Sequence, residues 1–144
     1  MRILIIDDES SFAELVAMNL EESGDIEVQC ACDSRHSIAV AAEWRPDLIL
    51  LDMVMPGMSG EEVFRQLQER AELRAIPIIF MSASANDNSI VQGPHVEHLP
   101  KPMSVKALLE AIHRHVGTGA CTGIDLPATT ITTEAVVFGM VAAG

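Results

Sequence analysis

The chain has 144 residues, the length of one ordinary domain, and needs no disulfide or metal to hold a hydrophobic core. Hydrophobic residues make up 49% and charged residues 21%, which excludes an intrinsically disordered chain. Acidic residues outnumber basic ones by 21 to 9, and the formal charge of −12 disfavours direct binding to nucleic acid. The cysteine count of 3 is too low for a disulfide framework, and no apolar run approaches the roughly 20 residues of a membrane span. We therefore expect a cytoplasmic protein.

Short apolar runs alternate with longer amphipathic stretches along the chain. The runs predict five strands, at residues 3–6, 26–32, 48–51, 76–81 and 96–99. The stretches between and after them predict helices that begin near residues 11, 34, 59 and 104, with a weaker helical stretch over 83–94. Apolar strands separated by helices predict an α/β fold, a flavodoxin-like (βα)5 doubly wound sandwich with a five-stranded parallel sheet.

Three local predictions concern helix starts and cysteines. Ser11 with Glu14, and Ser59 with Glu62, have the spacing of a capping box, in which a serine side chain caps the start of a helix. Ser34 is the predicted cap of the second helix. We expect Cys30 and Cys32, two residues apart on a strand, to be packing residues.

The composition changes after Gly117. Residues 118–144 contain no Lys or Arg, and their only charged residues are Asp125 and Glu134. We therefore predict one domain over residues 1–117, followed over 118–144 by an apolar C-terminal tail or the start of a linker. Three interpretations of the tail stay open: a segment docked on the domain, an element exchanged between subunits, or the start of a further domain.

Polar side chains follow four of the five predicted strands. Asp7 and Asp8 follow the first strand, Asp52 the third, Ser82 the fourth and Lys101 the fifth. The carboxyl ends of parallel strands meet at one edge of a sheet, where ligands bind in this class of fold. Three carboxylates brought together repel one another, and a hard cation such as Mg²⁺ relieves that repulsion.

A magnesium site of this composition favours phosphoryl chemistry. A carboxylate can act as a nucleophile and carry an aspartyl-phosphate, and Asp52 is the best candidate because it stands alone at a strand end. Asp7 and Asp8 are better placed as metal ligands, and Lys101 supplies a positive charge for phosphoryl oxygens.

In order and spacing, these motifs together resemble the CheY-like receiver domain of two-component response regulators. The matching residues are Asp7-Asp8, the segment LLDMVMPGMSG at 50–60, Ser82-Ala83 and Lys101-Pro102, and the resemblance covers residues 1 to about 117. It implies a phosphoprotein of phosphorelay signal transduction in which Asp52 accepts a phosphoryl group from a sensor histidine kinase or a phosphotransfer protein. Beyond its own phosphorylation and autodephosphorylation, no metabolic enzyme activity is expected.

The resemblance also implies a role for each matching residue. Asp8, Asp52 and the backbone carbonyl of Val54 would bind Mg²⁺, with Asp7 acting through water. Ser82 would hydrogen-bond a phosphoryl oxygen and Lys101 would pair with one. The bond between Lys101 and Pro102 is expected to be a cis peptide.

The predicted switch departs from the family pattern. Ser82 and the residue three positions before the lysine would report phosphorylation, and His98 occupies that second position, where the family usually has Tyr or Phe. In the family, the resulting shift alters the face formed by the fourth helix, the fifth strand and the fifth helix. A downstream output protein or domain would read this face, and a homodimer could form through it or through the tail.

Two alternatives remain open from the sequence. In a pseudo-receiver, a protein-interaction module, the site would be vestigial; His98 and the thin fourth helix favour this, and the complete set of acids opposes it. A Mg²⁺-dependent phosphohydrolase would carry its nucleophile after the first strand with a second acid two residues on. Here the two aspartates Asp7 and Asp8 are adjacent, and Glu9 rather than a further aspartate follows Asp7 at that spacing, which opposes a phosphohydrolase.

Overall fold

A computed structural model describes residues 1–82, 93, 95–101 and 103–116 of the chain. The weakly predicted helix over 83–94 lies almost entirely outside these residues, as do Pro102 and the predicted tail. No helix in the described part of the chain is long and apolar enough to cross a membrane.

Five strands and four helices make up the described chain. The strands are β1 (Arg2–Ile6), β2 (Glu27–Ala31), β3 (Leu48–Asp52), β4 (Ile78–Ser82) and β5 (Val96–Pro100). The helices are α1 (Ser10–Glu22), α2 (Ser34–Trp44), α3 (Gly60–Glu69) and α4 (Val105–Val116). All five predicted strands are therefore confirmed, with ends that differ by one or two residues.

The strands form one parallel sheet in the order β2-β1-β3-β4-β5. This is the flavodoxin-like order, as predicted. The chain runs outward from β1 to β2 and then returns to β3 on the other side of β1. The strand order thus reverses between β1 and β3, and in open α/β sheets a crevice forms at the carboxyl ends of the strands at such a point.

The sheet separates two hydrophobic clusters, because alternate residues of each strand point to opposite faces. Ile5 and Leu50 belong to the cluster covered by α1 and α4, whereas Ile6 and Leu51 belong to the cluster covered by α2 and α3. Every residue of β3 and β4 is buried. Burial on both faces explains why these strands are apolar along their whole length.

The predicted serine caps differ from the structure in two of three cases, although every helix begins within one residue of its predicted start. The capping box at Ser11 is wrong: α1 begins at Ser10, its N-cap residue is Glu9, and that residue makes no side-chain capping bond. The start is fixed instead by Asp7, whose Oδ1 accepts a hydrogen bond from the Glu9 amide at 2.9 Å. Asp33, not Ser34, caps α2 by accepting from the Arg35 amide.

At α3 the predicted cap is confirmed. The hydroxyl oxygen of Ser59 accepts a hydrogen bond from the Glu62 amide at 3.3 Å. The helix ends at Glu69, and the fully buried Leu73 lies in the turn that follows it.

The prediction that Cys30 and Cys32 pack in the interior is wrong, since both thiol-bearing residues are exposed. Cys30 lies on β2 and Cys32 directly follows that strand, which lies at the edge of the sheet. An edge strand has a neighbour on one side only, and the local sequence pattern does not reveal that position.

Candidate functional site

Three carboxylates meet at the point where the strand order reverses. Asp7 follows β1, Asp8 comes next, and Asp52 is the last residue of β3. One carboxylate oxygen from each lies within 4.8 Å of the corresponding oxygens of the other two. Asp7 is fully buried, Asp52 is 7% exposed and Asp8 is exposed, so the cluster opens to solvent on one side.

The register of the sheet explains why Asp7 and Asp52 meet. Ile5 of β1 pairs with Leu50 of β3, and both side chains belong to the cluster beside α1 and α4. Two residues further along each strand, the side chains return to that same face. Asp7 and Asp52 therefore stand side by side above the core, on the α1 side of the sheet.

Lys101 is the cation of the site. It directly follows β5, and its amide donates to the Ser82 carbonyl at the end of β4, at 2.6 Å. The Nζ atom lies 3.2 Å from Oδ2 of Asp7 and 3.6 Å from Oδ1 of Asp52, and its side chain is only 16% exposed. A lysine from the far edge of the sheet thus bridges two of the three acids.

The two oxygens of Asp7 are both occupied, which allows this carboxylate to be buried. Oδ1 accepts from the Glu9 amide, and Oδ2 accepts from the Lys101 ammonium. Burial of a charge is tolerated when it is paired and hydrogen-bonded. Asp7 therefore both starts α1 and holds Lys101 in the site.

The charged form of Asp52 is disfavoured by its surroundings. Burial, and then the nearby Asp7 carboxylate, raise the pKa of Asp52 from 3.8 to about 7. Lys101 and the Val54 amide, which lies 3.5 Å from Oδ1, oppose that rise without cancelling it. The site thus holds a carboxylate whose charged form is poorly stabilised by the protein alone.

The donor set fits a hard divalent cation. Carboxylate oxygens are the ligands that Mg²⁺ prefers, and two oxygens that bind one Mg²⁺ lie up to about 4.2 Å apart. The spread of no more than 4.8 Å among the three acids needs only small side-chain adjustments to reach this. A cation would also favour the charged form of Asp52, the form that burial disfavours.

The remaining predicted residues lie around this cluster. Ser82 ends β4, next to β3, and is 9% exposed. Val54 is 73% exposed in the loop after β3. Pro102 lies outside the described residues, so its predicted cis peptide stays a prediction.

His98, the predicted switch residue, lies on β5 and contacts the sheet interior. Its ring stacks on that of Phe80 with centroids 5.1 Å apart and an interplanar angle of 15°. Phe80 is the residue directly opposite on β4, and it is fully buried. In this structure the imidazole therefore packs flat against an aromatic core residue, and it is only partly exposed.

Two residues of the site had no role in the sequence interpretation. Gly60 begins α3, and a Cβ atom there would lie 2.3 Å from the carbonyl oxygen of Asp52. A glycine at the first position of a helix, where better helix formers are available, is the signal that could have revealed this close approach. Phe12 of α1 places its ring 4.4 Å from Nζ of Lys101, and no sequence pattern identifies that contact.

Comparisons with known proteins agree with this geometry. Residues 3–113 match the family of the response regulator receiver domain. The chain is 37% identical over 123 residues to the phosphate regulon transcriptional regulatory protein PhoB of Pseudomonas aeruginosa, covering 81% of this chain and 53% of that protein. The chain thus spans about half the length of this curated relative.

Solved structures give the same assignment. The chemotaxis response regulator CheY4 of Vibrio cholerae matches with a TM-score of 0.71 and 28% identity, over 78% of this chain and 96% of that one. A response regulator receiver domain from Clostridium thermocellum matches with a TM-score of 0.73 and 27% identity, over 84% and 98%. Together with the sheet order and the acid cluster, these matches show that the chain belongs to the response regulator receiver domain family.

Proposed function

We propose that this receiver domain accepts a phosphoryl group on Asp52 from a phosphohistidine of a sensor histidine kinase or a phosphotransfer protein. The observation that carries the proposal is the arrangement of Asp52 itself. Its carboxylate lies within 4.8 Å of two further acids and 3.6 Å from a lysine ammonium. Such a site combines a nucleophile, a place for a divalent cation and a fixed positive charge.

In the transfer, an oxygen of Asp52 forms a bond to phosphorus while the phosphorus–nitrogen bond of the donor breaks. The departing imidazole keeps the electron pair and takes up a proton. Phosphoryl transfer requires little covalent chemistry from a protein beyond positioning and charge neutralisation. Asp52 is held for this attack by β3, a strand buried along its whole length.

Asp8, Asp52 and the backbone carbonyl of Val54 would hold Mg²⁺, with Asp7 acting through water. When bound, Mg²⁺ neutralises negative charge on the carboxylates and on the phosphoryl oxygens. Lys101 would pair with a phosphoryl oxygen once Asp52 has become an acyl phosphate and its carboxylate no longer competes for the ammonium. Ser82, near the end of the adjacent strand, would hydrogen-bond another phosphoryl oxygen.

Phosphorylation would then change what the domain binds. Ser82 and His98 lie on neighbouring strands, so a shift at the end of β4 can reach β5. His98 stacks on Phe80, and movement of its ring would change the surface around β5 and α4. A downstream output protein or domain would recognise that surface, and a second copy of the chain could dock there or through residues 118–144. We propose a cytoplasmic location, which suits exchange with such partners.

The proposal is tested by intact mass spectrometry of the full chain with Mg²⁺ and acetyl phosphate, a small phosphodonor. We expect the addition of one phosphoryl group to the unmodified chain and none to the Asp52→Asn variant. Removal of Mg²⁺ by a chelator should slow the labelling strongly. Asp47→Asn is the matched control, because Asp47 is exposed and directly precedes β3, at the end of the strand opposite to Asp52.

Two outcomes would contradict the proposal. An unmodified, folded chain that gains no mass would favour a pseudo-receiver that only binds other proteins. Rapid multiple turnover of sugar phosphates, with no accumulation of labelled chain, would favour a phosphohydrolase.

A further inference from the structure

The ammonium group of Lys101 has an aromatic neighbour as well as its two acids. The Nζ atom lies 4.4 Å from the centroid of the Phe12 ring, which comes from the first turns of α1. The Phe12 side chain is only 2% exposed, and that of Lys101 is 16% exposed. The contact is therefore largely shielded from water.

A shielded cation over a ring face is attracted by the ring quadrupole. The attraction is weak at exposed sites and stronger where water is excluded, as it is here. A lysine ammonium carries three N–H groups. Asp7 Oδ2 accepts from the ammonium at 3.2 Å, Asp52 Oδ1 lies 3.6 Å away, and the ring face is a third partner.

The ring also limits where the ammonium can go. Lys101 follows β5, at the edge of the sheet, and its side chain must cross to the acids that follow β1 and β3. Phe12 belongs to the core cluster beside α1 and α4, which also includes Ile5 and Leu50. It therefore lies on the same face of the sheet as Asp7 and Asp52, and its ring gives the ammonium a largely buried surface while Nζ lies 3.6 Å from Asp52.

We propose that Phe12 is a positioning residue for phosphoryl transfer, which holds the Lys101 ammonium beside Asp52 through the face of its ring. The inference rests on the proposed function of Asp52. Before transfer, the ring shares the ammonium with two carboxylates. After transfer, the negative charge lies on the phosphoryl oxygens instead of the Asp52 carboxylate, and the ring keeps the ammonium in place while the N–H groups of Lys101 turn to those oxygens.

A leucine or a fluorinated ring would fill the same space without the same electron density. The test replaces Phe12 in the full chain by singly and triply ring-fluorinated phenylalanine, and separately by leucine. Fluorine withdraws electron density from the ring face with little change in shape. We expect the rate of labelling of Asp52 by acetyl phosphate to fall stepwise with fluorination, and by up to about tenfold for Phe12→Leu.

A second measurement reports the contact without any phosphodonor. Protons of the Lys101 side chain next to Nζ lie over the ring, so ring currents should shift their NMR signals upfield. The shift should disappear in Phe12→Leu. Signals that do not change in this variant would overturn the inference even if the labelling rate falls, because the loss would then come from altered packing.

Phe64 provides the matched control. It packs against Phe80 in the other core cluster, on the opposite face of the sheet from Lys101. Fluorination there should leave the labelling rate unchanged, and an equal loss at both positions would overturn the inference. Equal labelling rates for every form at position 12 would overturn the role of Phe12 alone. Failure of the unmodified chain to be labelled would overturn the proposed function, and this inference with it.

Discussion

Asp52→Asn should stabilise the chain in the absence of divalent cations, and increasingly so as the pH rises. Asparagine keeps the shape of the side chain and removes its charge. In the unmodified chain, burial and the neighbouring Asp7 raise the pKa of Asp52 from 3.8 to about 7. Between these two values the folded chain keeps a proton that the unfolded chain has lost, so its stability falls as the pH rises.

The size of the effect follows from the shift. A change of about 3 pKa units corresponds to about 4 kcal/mol at about 1.36 kcal/mol per unit, which is the upper limit for a rigid site. The Asp52 side chain is only 10% exposed, so solvent screens little of this cost. The difference in unfolding free energy between the variant and the unmodified chain should grow from near zero at pH 4 to about 2–4 kcal/mol above pH 7.

Urea unfolding, followed by circular dichroism in the presence of a chelator, measures this difference at each pH. Asp25→Asn is the control, because Asp25 is exposed and precedes β2, at the amino-terminal ends of the strands and away from the acid cluster. The difference in unfolding free energy between that variant and the unmodified chain should not grow with pH. Added Mg²⁺ should reduce the advantage of Asp52→Asn, because a bound cation favours the charged carboxylate. A difference that stays constant from pH 4 to pH 8 would refute the assigned cause of the shift.

Two further predictions concern packing and charge. Gly60→Ala would place a Cβ atom 2.3 Å from the carbonyl oxygen of Asp52. We therefore expect the free energy of unfolding, measured in urea, to fall by about 1–3 kcal/mol and the labelling of Asp52 to slow. Unchanged stability would contradict the close approach. Although burial opposes it, hydrogen bonds from Arg114 and His115 hold the pKa of Glu97 below its usual value of 4.5. The stability that this carboxylate contributes is therefore present at neutral pH and is lost as the pH falls below 4.5, so the cost of Glu97→Gln in thermal unfolding should be larger at pH 7 than at pH 3.

The central strands of the sheet could be predicted because their residues are apolar along nearly the whole strand, which indicates burial on both faces. Leu48 to Leu51 are apolar at every position, and every one of them is fully buried between two helical layers. The meeting of the acids could be predicted as well, since the carboxyl ends of parallel strands lie at one edge of the sheet. Asp7, Asp52 and Lys101 lie where that argument puts them.

Local patterns failed where a tertiary contact decides the outcome. The predicted capping box at Ser11 does not form, because Asp7 accepts a hydrogen bond from the Glu9 amide and α1 begins at Ser10. The exposure of Cys30 depends on the edge position of β2, which follows from the sheet order and not from the strand itself. Contacts that join distant elements, such as the ring of Phe12 under Lys101, leave no periodic signal at all.

The most direct test of the account is the identity of the residue that becomes phosphorylated. After labelling with Mg²⁺ and acetyl phosphate, borohydride reduces an aspartyl-phosphate to homoserine, which tandem mass spectrometry of the digested chain can locate. We expect homoserine at position 52 and at no other aspartate. Homoserine at position 7 or 8, or its absence from a folded chain treated in this way, would contradict it.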